Sequence, residues 1–183
     1  MSVLQVPDFW TADMVRALSD DGKCYETVHG ELFVSPAPRV WHQIVAERLT
    51  DVLKGYLARE PVGMAIGLPA DISWGPDVLV EPDVFVAPLA ELRTLDWTKV
   101  RTLLLVVEVL SPSSLRTDRF AKRRLYQEVG IPLYWIVDAD AHVVECWTPD
   151  AVTPALERET LVWHPAGAVL PCRISLAELF QPL

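Results

Sequence analysis

Apolar residues along this chain recur at two different periods, and the switches between them mark out the elements. Over 38–59, Trp41, Val45, Leu49, Val52 and Tyr56 follow one another at steps of three and four, the stripe of one helix lying on a core. Residues 25–34 alternate instead and read as two short strands around His29-Gly30, a two-residue turn in which glycine tolerates positive φ. Residues 7–19 predict a short leading helix with Thr11 as N-cap. Strands are expected near 63–67 and 70–74, then one continuous strand over 78–86 after a turn at Pro76-Asp77. A polar loop over 88–101 leads to LLLVVEVL (103–110), apolar on both faces as a covered central strand must be. Ser111-Pro112-Ser113-Ser114 ends that run and offers caps to a second helix over 114–129, stopped by Gly130 and Pro132. LYWIVDA (133–139) predicts another buried strand, and HVVECWT (142–148) an alternating edge strand beside it. A strand near 157–164 and a helix at 175–180 complete the pattern. The order predicts an α/β fold, a mixed central sheet flanked by helices with an N-terminal β-hairpin.

Composition narrows the class. The chain has 183 residues, 51% of them hydrophobic, which suits one domain (1–183) with a full core and excludes disordered and fibrous classes. Its net charge of −9 argues against a basic coat that grips nucleic acid at large, though a local basic patch remains open. Cys24, Cys146 and Cys172 are far apart and odd in number, so they predict neither a disulfide framework nor a CxxC metal site. No segment is a long apolar run of membrane-spanning type and no basic leader precedes one, so a cytoplasmic protein without membrane attachment is expected.

Charged residues at core-patterned positions carry the chemistry. In the expected strand over 78–86, Asp83 shares a face with Leu79, Glu81 and Phe85. Glu108 interrupts the apolar run, flanked by Val106 and Leu110 on its own face. A lone buried carboxylate costs several kcal/mol, so each must be neutral, paired or bound to a cation. On the second helix, Lys122 and Asp118 fall in a stripe with Leu115, Leu125 and Val129, whereas Arg116, Arg123, Arg124 and Gln127 fall outside it. Lys122 should thus pass over the end of the strand that bears Glu108, where α/β sheets gather their ligand sites. Two carboxylates and an ammonium in one pocket suit metal-assisted hydrolysis: carboxylate oxygens hold a hard divalent cation. The bland alternative is a structural ion pair that closes the helix onto the sheet.

These residues resemble a known family. Pro82-Asp83 followed by Glu108-Val109-Leu110 on the next core strand is similar to the PD-(D/E)XK nuclease superfamily. The phrases YETVHGELFVSP (25–36), EPDVFV (81–86), VVEVLSPSS (106–114), DRFAKRRLYQEVGIPLYWIVD (118–138) and VVECW (143–147) resemble, more narrowly, the Uma family of restriction-endonuclease-like proteins. The resemblance spans about residues 25–150 and implies a restriction-endonuclease-like fold and Mg²⁺-dependent cleavage of nucleic acid by a homodimer, with Mn²⁺ as a substitute and DNA as the favoured substrate. It further implies that Asp83, Glu108 and the Val109 carbonyl hold the metal. The position two after Glu108 is Leu110, where the superfamily has lysine, and the family's lysine on the following helix corresponds to Lys122.

Four residues form a second tier. His42, at the edge of the first helix's stripe, is a candidate for orienting a water or meeting a phosphate. Glu31 and Glu81 are candidate outer acidic contacts, and Asp118 could hold Lys122 four residues on. Residues 113–130 carry Arg116, Arg119, Lys122, Arg123 and Arg124 against Asp118 and Glu128, so Arg116, Arg119 and Arg123 are candidates for phosphate-backbone contact. Two other readings stand beside the nuclease: a non-catalytic dimeric interaction module that keeps the fold, and a hydrolase acting on a different phosphoester.

Overall fold

The computed structural model describes residues 7–183. Helix α1 (Ala12–Arg16) is shorter than the expected leading helix, and Thr11 caps it by accepting from the Met14 amide at 3.2 Å. Strands β1 (Cys24–Val28) and β2 (Glu31–Ser35) form the hairpin, with His29 at φ 51° and Gly30 at φ 80°, the two positive values that a tight twisted turn needs. Helix α2 spans Val40–Leu57. Its buried stripe includes Val45, Leu49 and Tyr56 as expected, but Val52 is 40% exposed and Leu53 fully buried. The steps of three and four allow either residue, and the packing partners take Leu53.

After β3 (Met64–Ile66) and β4 (Ile72–Gly75), the expected continuous strand over 78–86 is two strands, β5 (Val78–Val80) and β6 (Val84–Ala87). Glu81-Pro82-Asp83 separates them, and each joins a different sheet. Pro82 has no N–H to give a ladder and restricts Glu81 before it, so alternation that looks unbroken in sequence breaks here. The loop that follows contains α3 (Leu89–Leu92) and a 3-10 turn (Trp97–Lys99) before β7 (Leu105–Val109), every residue of which is buried.

The second helix is not uniform. Thr117–Lys122 is π-helical and runs into α4 (Arg123–Glu128). Each i→i+5 bond takes an extra residue into the turn, so positions before it slip by about one residue, roughly 100°, from a uniform wheel. Lys122, Asp118 and Leu125 face inward as expected, whereas Leu115 has slipped off the stripe and is exposed. Gly130 ends the helix at φ 76°. Strands β8 (Tyr134–Asp138), β9 (Val143–Trp147), β10 (Ala155–Glu157), β11 (Thr160–Trp163) and β12 (Cys172–Ser175) lead to α5 (Leu176–Leu179). The position of β9 corrects the sequence reading: it lies between β8 and β10, so β10 is the edge. Strand β12 has no counterpart in that reading.

The six-stranded sheet, ordered β10-β9-β8-β7-β6-β3, is mixed, with β7 and β8 parallel and its other neighbours antiparallel. Side chains of alternating residues build two cores. On one face Val84, Val107, Trp135 and Val137 pack against α2, β11, β12 and α5. On the other, Phe85, Val106, Tyr134 and Ile136 pack against α4 and the second sheet, ordered β2-β1-β5-β4. No helix among the described residues is long and apolar enough to cross a membrane. Leu53→Ala is expected to cost about 3 kcal/mol in urea unfolding, whereas Val52→Ala should cost under about 0.5 kcal/mol.

Candidate active site

Asp83, Glu108 and Lys122 meet at one end of the six-stranded sheet. Because β6 and β7 are antiparallel, the residue just before β6 lies beside the C-terminal end of β7. Val109 donates its amide to Asp83 Oδ2 at 2.7 Å, and His42 Nε2 from α2 meets the same oxygen at 3.0 Å. The Asp83 carboxylate thus takes the bond that a longer β6 would have offered to Val109. Glu108 points to the opposite face, where its Oε1 receives Lys122 Nζ at 2.9 Å and the Tyr126 hydroxyl at 3.1 Å. Lys122 Nζ also lies 2.8 Å from Glu26 Oε1 and 3.8 Å from Asp118 Oδ1. Oδ1 of Asp83 and Oε2 of Glu108 accept no hydrogen bond from the described residues. The cleft they line has a volume of about 360 Å³ and is rimmed by the 35–39 and 111–114 loops.

Burial dominates the electrostatics. It pushes Glu108 well above the usual carboxylate range despite Lys122 beside it, and raises Asp118 to about 6. Burial also works against the Lys122 ammonium, but Glu108, Glu26 and Asp118 outweigh it and hold that group well above its ordinary value. For His42, burial is again the largest influence and lowers it. The hydrogen bond and charge of Asp83, with a Val109 backbone contact, together win and raise it. His42 Nδ1 is buried and has no hydrogen-bond partner among the described residues. One ammonium therefore faces three buried carboxylates, with Asp83 and Glu81 close by on the same cleft.

The other expected residues divide. Glu81 lines the cleft and is raised by burial, then by Asp71 and Glu26. Glu31 does not belong: it is exposed on β2 opposite Val28, on the edge strand of the four-stranded sheet. The acidic residue that the hairpin does contribute is Glu26, 4% exposed, which also accepts the Glu81 amide at 2.7 Å. Its signal was present in the alternation, since Glu26 shares a face with Val28, which points into the core. Arg119 and Arg123 each hold partners within the fold. Arg119 bonds Glu145 at 2.7 Å, and Arg123 stacks on the Trp147 ring at 4.7 Å while bonding Gln127. Arg116 is exposed, next to the cleft-lining Thr117.

The mixed sheet flanked by helices, with an antiparallel hairpin ahead of it, makes up a restriction-endonuclease-like fold. The family model described as "Uma2: Putative restriction endonuclease" matches residues 12–177, and the chain belongs to that family. Membership assigns it to the hydrolytic endonucleases. The crystal structure of a "putative nuclease belonging to DUF820" from Anabaena variabilis ATCC 29413, at 1.96 Å resolution, is similar with a TM-score of 0.73 and 21% identity. The match covers 93% of this chain and 97% of that one, and it shows the fold. No curated protein matches the chain.

The raised acids make a signed prediction. A carboxyl whose pKa is higher folded than unfolded binds its proton more tightly in the native state, so its contribution is present at low pH and lost as pH rises. For Asp118 that window runs from its ordinary 3.8 to about 6. Raised His42 acts with the same sign above it. The metal-free protein should therefore melt higher at pH 5.5 than at pH 7.5, and Asp118→Asn should flatten that slope in thermal scans.

Proposed function

We propose that this protein is a Mg²⁺-dependent nuclease that hydrolyses phosphodiester bonds of nucleic acid, DNA in preference to RNA, working as a homodimer. The observation that carries this reading is the surplus of buried carboxylate over ammonium at the cleft floor, with one oxygen of Asp83 and one of Glu108 left without a hydrogen-bond donor among the described residues. Among the described residues no group of three or more His, Cys, Asp or Glu side chains is arranged to hold a metal ion. The donors on offer are two carboxylates and the Val109 carbonyl, which fits a hard, oxygen-preferring cation that keeps several waters. A bound divalent ion would supply charge neutralisation at the phosphoryl group and a more acidic water. The restriction-endonuclease description of the family supports DNA as substrate and two copies for two strands.

The chain's own groups do the rest. His42 and the Val109 amide fix Oδ2 of Asp83, and Oδ1, which has no donor among the described residues, would take the ligand. Glu26 and Glu108 hold the Lys122 ammonium between them, so it stays charged and stationary when a phosphate arrives. From there it positions the attacking water and stabilises charge as it develops on the phosphoryl oxygens. Arg116 is the one arginine of the expected three that supports a backbone contact at the rim.

A specific observation favours a competing reading. Lys122 ties β1 of one sheet to β7 of the other, as a purely structural ion pair in an interaction module would. Titration calorimetry with Mn²⁺ and Mg²⁺ separates the two. The nuclease should bind a divalent ion that Asp83→Ala abolishes, and Asp83→Asn should lower cleavage of DNA by about a hundredfold or more. An interaction module should ignore chelator, cut neither DNA nor RNA, and lose stability in Glu108→Ala.

A further inference from the structure

A second cavity, of about 490 Å³, shares Glu81 with the first, whereas Lys122 lines the first alone. Besides Glu81, four separate segments build it: Arg16 from α1, Asp71 just before β4, Trp97 and Thr98 from the 3-10 turn, and Arg101 ahead of β7. Trp97 is 44% exposed yet held in place. Its ring meets Phe85 edge-on at 6.1 Å, and Asp96 Oδ1 locks its turn by accepting from the Thr98 amide at 2.9 Å and the Thr98 hydroxyl at 2.7 Å. The Arg101 guanidinium is braced on the Ser73 carbonyl, and Arg16 Nε lies 3.0 Å from Asp71.

We propose that this cavity is a subsite for one unpaired nucleotide of the strand whose backbone crosses the Asp83–Glu108–Lys122 cleft. The proposal rests on the nuclease reading for the route of that strand. A fixed, half-exposed indole is a stacking surface, and stacking is open only to a base whose face is not already covered by neighbours in a duplex. Beyond the bonds to Asp71, Asp13 and Ser73, the two guanidinium groups keep N–H donors for a phosphate or a ring acceptor, whereas Glu81 and the second oxygen of Asp71 accept from exocyclic amino groups. The charges balance two against two. A polyphosphate or a bare anion therefore gains little here, and a nucleotide, which brings donors as well as charge, gains most. The volume lies in the range of small-ligand pockets.

The test measures binding of fluorescein-labelled hairpin duplexes, DNA and RNA, blunt or with a short single-stranded overhang, by anisotropy in EDTA and in Mg²⁺. Trp97→Leu should weaken binding of the overhang probes by about tenfold or more. It should leave the blunt probes unchanged, and Trp97→Phe should restore most of the loss. Melting curves check that the variants fold. Arg16→Ala, which removes only exposed ion pairs from the fold, should weaken the overhang probes in the same direction. Overhang binding by Trp97→Leu equal to wild type overturns the subsite and leaves the nuclease reading standing. Failure of the wild type to bind any probe overturns both.

Discussion

The ammonium of Lys122 is the group on which the arrangement of this molecule depends. It is removed from water at 4% exposure and held between Glu26 of the four-stranded sheet and Glu108 of the six-stranded one. Desolvating these ions costs several kcal/mol each, and their attraction recovers that cost only if the geometry is kept. The two sheets and the helix between β7 and β8 therefore cannot slide independently. Hydrophobic packing of Val28, Val80, Val106 and Leu125 glues the layers without fixing their register, because apolar contact is non-directional. The ion pair supplies the direction.

That same constraint explains what could be read from the sequence. Glu108 was legible because ionisable residues are conspicuous in an all-apolar run, and Lys122 because one helical stripe turned it the same way. The π turn left Lys122 in place but displaced Leu115, since only residues before the extra one lose phase. Glu26 is only faintly marked: it shares a face with Val28, but a five-residue strand gives so short an alternation that a buried carboxylate and a solvated one look alike. The fate of Arg119 and Arg123 was not legible at all. Their partners, Glu145 and Trp147, sit more than twenty residues away on β9, and no local period links them. Pro82 was visible, yet the alternation of valines on either side concealed that it divides two sheets.

The cleft is acidic in a chain that is acidic overall, at −9. A phosphate backbone approaching it meets Glu26, Glu81, Asp83, Glu108 and Asp118 against a single buried lysine. Such a surface does not hold nucleic acid by general attraction, as basic DNA-binding domains do.

The parallel pairing of β7 with β8 has a consequence in terms of chirality. Two neighbouring parallel strands must be joined by a crossover, and such crossovers are right-handed in nearly all folds because L-residues twist strands and helices one way. The connecting helix can then cover only one face of the sheet. Side chains of β7 alternate, so Glu108 faces that helix and Val109 faces α2. A shift of one position would leave the carboxylate under α2 with no ammonium to meet. The handedness of each Cα thus decides, through the path of the chain, on which side of the sheet the acid and the base can find one another.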